Sequence, residues 1–151
     1  MYQYPLELHT EPTGVWLSCP DIPEMNASGD TLGEAFAEAL DGFESALSLY
    51  VEQRRRIPAA SAARDPAMVL HLPALTVAKI MLWNAMLDEG VSRAELARRM
   101  GCTRQVVDRL VDFLHSSKIE QVERALGLRA VIAGTLSNQM SAALAGVFIS
   151  L

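Results

Sequence analysis

Apolar positions in the first third of the chain alternate over short runs and then settle into a helical repeat. Tyr2 to His9 and Gly14 to Cys19 are extended candidates separated by Glu11-Pro12-Thr13-Gly14, whose residues suit a turn, so a hairpin is predicted. Pro20-Asp21-Ile22-Pro23 is expected to interrupt the ladder, with Glu24 to Ser28 as a short third strand. Thr31 and Glu34 have the spacing of a capping box, and from there Leu32, Phe36, Ala39, Leu40, Phe43, Leu47 and Tyr50 recur at three- and four-residue steps. That spacing predicts a long helix with one stripe on the sheet and its acids in water. Ile57 to Pro66 has no sustained period, and Met68 to Leu72 reads as a final strand before Pro73.

The second half changes period. Leu75 to Leu87 is an apolar helix candidate stopped by Gly90. Ser92 with Glu95 forms a second capping box that opens a helix to Met100, Gly101-Cys102 breaks it, and Thr103 is placed to cap a helix from Arg104 to Val111. Helix, tight turn, helix is the order, with Leu96, Ala97 and Val107 expected to pack the pair together and Gly101 to permit the reversal. Ser117 with Glu120 is a third capping box, opening a helix through Leu126. The fold class is therefore α+β: strand, strand, strand, helix, strand over residues 1–72, then an all-helical segment over 73–130.

Composition splits along the same line. The 151 residues carry a formal charge of -5, which argues against a uniformly basic nucleic-acid coat, and half of them are apolar, enough for ordinary cores. Yet residues 1–72 hold four basic residues against eleven acidic ones, and residues 73–151 nine basic against seven acidic. Five arginines crowd positions 93–109 against Glu95 and Asp108, a local basic face that the average conceals. Two modules with different partners are the natural reading.

The helix pair has the logic of a DNA reader, because outward residues at the start of a second helix can reach base edges in the major groove. Arg104 and Gln105 are the leading base-reading candidates, with Asp108 and Arg109 one turn further along. Arg93 and Thr103, at helix starts, and Lys118 are placed for phosphates. The competing reading is a small helical bundle with a charged outer face. Arg54-Arg55-Arg56 reads as a solvated helix end whose cations complement the dipole, in preference to a phosphate site.

Catalytic chemistry finds no footing. Glu7, Asp21, Asp41 and Glu44 fall on different elements, and nothing in their spacing pairs two carboxylates for metal or acid-base work. Ser18 and Ser28 lack a nucleophile-elbow context. Cys19 and Cys102 stand 83 residues apart among three scattered histidines, so neither a disulfide framework, a metal site nor any cofactor is expected. The amino terminus has no basic region followed by an apolar run, so a cytoplasmic protein is the expectation.

The segments Tyr4-Pro5-Leu6-Glu7-Leu8, Gly14 to Pro23 and Gly29-Asp30-Thr31-Leu32-Gly33-Glu34-Ala35, followed by Ile57-Pro58 and Leu72-Pro73, resemble the amino-terminal domain of HicB-type antitoxins. Ser92 to Leu110 is similar to the helix-turn-helix domain carried by one branch of that family, and the likeness covers roughly residues 2–130. The resemblance implies a partial RNase-H-like, non-catalytic domain over 1–72 that occludes a small HicA-type mRNA-cleaving toxin. It implies a second domain that represses the pair's own promoter by binding operator DNA, and a homo-dimer or homo-tetramer. The acidic first half suits a basic toxin, with Asp21, Glu24, Glu38 and Asp41 as candidate contacts.

Residues 131–151 carry no charge and mix Gly, Ser, Asn and Gln among apolar positions. They read as a buried or oligomer-forming tail and are too diluted by polar residues for a membrane helix. Two other functional classes stay open at this stage. One is a ligand-sensing helix-turn-helix transcriptional regulator without a toxin partner; the other is a nuclease.

Overall fold

A computed structural model describes residues 2–133. The chain forms two compact units, Met1–Pro73 and Ala74–Leu151, each taken separately below. The class is α+β, strands preceding a long helix in the first unit and helices alone in the described part of the second.

Five strands make two sheets in the first unit. β1 (Gln3–Pro5) pairs antiparallel with β5 (Val69–His71), and β2 (Glu7–Glu11), β3 (Gly14–Cys19) and β4 (Ile22–Gly29) form an antiparallel sheet in that order. The single strand expected over Tyr2 to His9 is thus two strands with different partners. The break falls at Leu6, whose side chain is buried and whose N–H donates to the Met68 carbonyl at 2.9 Å, extending the β1–β5 side by one bond. The Pro20 to Pro23 segment also differs from expectation: it turns the chain between paired strands, with Cys19 opposite Ile22. The register shift beside Ser18 and Cys19 absorbs the irregularity, and Pro23 is tolerated because β4 is an edge strand that needs no N–H there.

Alternation decides which face is covered. Leu17 and Cys19 on β3 and Met25 and Ala27 on β4 are buried, while Asn26 and Ser28, at the alternate positions of β4, are exposed. α1 (Leu32–Glu52) packs on this apolar face. Its start is the expected capping box: the Glu34 N–H donates to Thr31 Oγ1 at 3.3 Å, and the Glu34 carboxylate accepts from the N–H groups of Asp30 and Thr31. Ala39, Phe43, Leu47 and Tyr50 are buried as expected and are joined by Ala35, Ala46 and Val51, whereas Leu32 is exposed and Phe36 and Leu40 are half-buried. The small residues win the inner face because the helix lies directly against the strand backbone. A Cβ on Gly42 would stand 2.4 Å from the Asn26 carbonyl oxygen, so only glycine fits.

The described residues of the second unit form α2 (Ala74–Glu89), α3 (Arg93–Met100), α4 (Arg104–Leu110) and α5 (Ile119–Ala133). α2 is buried around its circumference from Thr76 to Trp83, the mark of a central helix. Gly101 ends α3 in the left-handed conformation, with Cys102 N–H returning to the Ala97 carbonyl at 3.1 Å. Leu96, Ala97 and Val107 are buried, as their spacing predicts, and α3 packs on α4.

Two caps differ from expectation. Thr103 occupies the N-cap position of α4, but its side chain makes no capping bond. Ser117 caps nothing, since its hydroxyl donates to the Arg109 carbonyl at 3.0 Å and α5 starts only at Ile119. The uncharged tail expected over 131–151 lies, from residue 134 onward, outside the described residues.

Candidate functional site

The α3-turn-α4 unit presents the residues that the sequence singles out. Arg104 and Gln105, the first two residues of α4, are exposed, as is Arg109 a turn later. Their neighbours Val107 and Leu110 face the core, so the helix has a clear outer side. Asp108 lies half-buried on that helix and is already engaged: Arg93 Nη1 donates to its Oδ1 at 3.1 Å, and Arg104 Nε stands 3.9 Å away. Arg93, at the first position of α3, therefore bridges the two helices. Thr103 and Lys118 are exposed at the starts of α4 and α5.

The remaining arginines of α3 are scaffold. The Glu95 carboxylate accepts from Arg98 at 2.6 and 2.9 Å and from Arg99 at 2.7 Å, and it is held down to about 2 by those bonds, Arg98 first. The second capping box is accordingly half-made: Ser92 Oγ accepts the Glu95 N–H at 3.1 Å, while the Glu95 side chain turns to the arginines. Among the described residues Arg104, Arg109 and Lys118 are exposed, Arg104 with its guanidinium 3.9 Å from Asp108.

The four acids expected to meet a partner divide into two kinds. Asp21 binds the N–H and hydroxyl of Ser61 at 2.8 and 3.0 Å, fixing the long segment before β5. Glu24 on β4 takes a hydrogen bond from Arg55 and another from Tyr50 Oη at 3.0 Å, and the Arg55 bond holds its carboxyl below the usual range. Tyr50 is pushed up to about 12, chiefly by burial and then by Glu24, and Arg55 stacks 4.0 Å from its ring centroid. Arg55 is thus a fastener between the chain just past α1 and β4, not the solvated helix-end cation expected of it, and no basic residue lies in the last turn of α1. Glu38 and Asp41 are exposed on the outer face of α1, one turn apart.

One cluster escaped the sequence reading. On the sheet face away from α1, His9 and Trp16 are register partners whose rings stack at 3.8 Å. Ser18 Oγ lies 2.7 Å from His9 Nε2, and Trp16 Nε1 donates to Glu11 at 3.1 Å. An open concavity alongside is lined by Glu11, Trp16, Asn26, Ser28 and Asp30. The signal was the hairpin register, which places His9 opposite Trp16 once the turn at Pro12-Thr13 is fixed. Among the described residues no group of three His, Cys, Asp or Glu side chains is arranged to hold a metal ion. No helix among them is long and apolar enough to cross a membrane.

Comparison with known proteins bears on these surfaces. Residues 3–81 match the family described as HicB-like antitoxin of bacterial toxin-antitoxin system. The chain is 61% identical over 127 residues to Antitoxin HicB of Pseudomonas fluorescens strain Pf0-1, covering 83% of this chain and 87% of that protein. It is 41% identical to Antitoxin HicB 2 of Photorhabdus laumondii, covering 82% and 88%. It is 34% identical to Antitoxin HicB of Escherichia coli strain K12, covering 82% and 90%. With matches of this length and identity, the chain belongs to the HicB-like antitoxin family of bacterial toxin-antitoxin systems.

Proposed function

We propose that this antitoxin acts through two surfaces: the first unit neutralises a small basic HicA-type mRNA-cleaving toxin, and the second represses the pair's own operon by binding operator DNA. The observation that carries the second half is the exposure of Arg104 and Gln105 at the start of a helix whose other side is locked to α3. In this reading Arg104 and Gln105 meet base edges, Arg109 follows along the groove, and Arg93, Thr103 and Lys118 attend to phosphates. Asp108 serves mainly to hold Arg93 and Arg104 in place.

Neutralisation is occlusion in this account. The first unit supplies exposed acids, Glu38 and Asp41 on α1 foremost, that steer a basic ribonuclease onto it and cover its RNA-binding surface. A homo-dimer or homo-tetramer in the cytoplasm fits the DNA reading, since a two-fold pair places two α4 helices about one helical turn of DNA apart. The test is co-expression with the neighbouring small gene. A tag on this chain should bring down a basic protein that cleaves RNA when separated and not when bound; failure to form that complex overturns the neutralising role.

A further inference from the structure

Lys79 is the most deeply buried charge in the described second unit, with 1% of its surface exposed. A buried ammonium is costly unless its donors are matched, so its position on the central helix α2 is not explained by packing. Its Nζ donates to three backbone carbonyls: Arg109 at 3.2 Å, Asp112 at 2.6 Å and His115 at 2.5 Å. All three lie at the end of α4 or in the loop that follows it. A helix leaves its last carbonyls without intrahelical partners and carries partial negative charge there, so a cation with three donors is a fitting cap. The Ser117 hydroxyl donates to the same Arg109 carbonyl at 3.0 Å, completing the collar from the outside.

We infer that Lys79, with Ser117, is a positioning residue for DNA reading: it anchors the carboxyl end of α4 and so sets the direction in which Arg104 and Gln105 are presented. The inference rests on the DNA-binding role proposed above. α4 has seven residues, about two turns or roughly 10 Å, so a shift at its end is carried directly to its start. The Arg93–Asp108 bridge holds the same helix from α3, through the residue next to Arg109. With two fixed points, one from α2 and one from α3, the helix has a set axis and a set rotation. Removing the inner point lets the loop carbonyls seek water and frees the axis.

The experiment compares full-length wild type with Lys79→Met, which keeps length and apolar stem while removing the donors, and with Ser117→Ala, which removes only the outer hydroxyl. Binding is measured to a duplex from upstream of the chain's own gene and to a shuffled duplex of equal length, across a salt series, at a temperature where circular dichroism shows each variant folded. The preference for the upstream duplex should fall by roughly tenfold in Lys79→Met, the scale of discrimination carried by one base pair, and by less in Ser117→Ala. Binding to the shuffled duplex and its salt slope should stay as in wild type, because phosphate contacts do not require a fixed helix axis. A residue that served stability alone would leave the preference of the folded protein untouched, and an unchanged preference in Lys79→Met overturns the inference. Should Lys79→Met not fold, Ser117→Ala decides: reduced preference supports the collar, unchanged preference rejects it. A wild type without preference for the upstream duplex instead overturns the DNA-binding role, and the inference with it.

Discussion

The guanidinium of Arg93, on the first residue of α3, donates to the carboxylate of Asp108 on α4 across 3.1 Å, tying together two helices that only Gly101, Cys102 and Thr103 separate in the chain. The same carboxylate stands 3.9 Å from Arg104, so one acid organises two of the cations assigned to DNA. Asp108→Asn removes an anion from the proposed DNA-facing surface but keeps an amide oxygen that can accept from Arg93, so it is expected to strengthen binding to any duplex with little change in sequence preference. Because both partners are partly exposed, the stability change should stay below about 1 kcal/mol. Titration with matched and shuffled duplexes, alongside urea unfolding, measures both quantities. A loss of sequence preference without a gain in affinity would return Asp108 to base reading.

Gly42 carries the seating of α1 on β4. Alanine at that position gains about 1 kcal/mol in helix preference. Its Cβ, however, falls 2.4 Å from the Asn26 carbonyl oxygen, a backbone atom that cannot swing aside. Overpacking of this kind costs about 1–3 kcal/mol and more where backbone must shift. Gly42→Ala should therefore lower the urea midpoint of the first unit. The control is Gly33→Ala, where an added Cβ would meet only Thr31 Oγ1, at 3.9 Å.

Glu95 gives the second unit an acid-side dependence whose sign can be worked out. Its folded-state value, about 2, lies below the ordinary 4.5 because Arg98 and then Arg99 hydrogen-bond the carboxylate. A depressed carboxyl contributes stability that is fully present above the ordinary value and is lost as pH falls through the folded value. The contribution should thus fade between about pH 4.5 and 2. Glu95→Gln should differ from wild type at neutral pH and converge on it near pH 2. Thermal unfolding followed at intervals across that range would show the convergence; parallel curves throughout would mean that the Arg98 and Arg99 contacts do not form in solution.

The acids of the first unit should separate by what they already touch. Glu38→Lys and Asp41→Lys alter exposed positions on α1 and should slow association with a basic toxin, most at low salt, while leaving the fold intact. Glu24→Lys instead sets a cation beside Arg55 and breaks the Tyr50 bond, so it should destabilise the unit before it affects any partner. Stopped-flow association at two ionic strengths, with circular dichroism of each variant, distinguishes the two behaviours.

Much of this organisation was legible along the chain, for reasons that differ by element. The Thr31–Glu34 cap, the Gly101 reversal and the burial of Leu96, Ala97 and Val107 are local, set by residues within a few positions of each other. The exposed start of α4 followed from the same periodicity. The split of the first strand at Leu6 was not legible, because it depends on β5, more than sixty residues away. On the inner face of α1, Ala39, Phe43, Leu47 and Tyr50 follow from the spacing, whereas Ala35 and Ala46, in place of Leu32, Phe36 and Leu40, depend on the close approach to β4 that Gly42 marks. Asp21 and Glu24 looked free because their partners, Ser61 and Arg55, are forty and thirty-one positions distant. Ser117 matched a local capping pattern, yet a carbonyl eight residues back had the stronger claim on its hydroxyl.

The central claim is that one chain holds a toxin-neutralising surface and a separate DNA-reading surface. The most direct test is a full-length Arg104→Ala, Gln105→Ala double variant assayed for both activities in the same preparation. The account predicts that it protects RNA from the neighbouring gene's toxin at the same stoichiometry as wild type while losing its preference for upstream over shuffled DNA. Retained preference, or loss of toxin protection in a variant that circular dichroism shows to be folded, would contradict it.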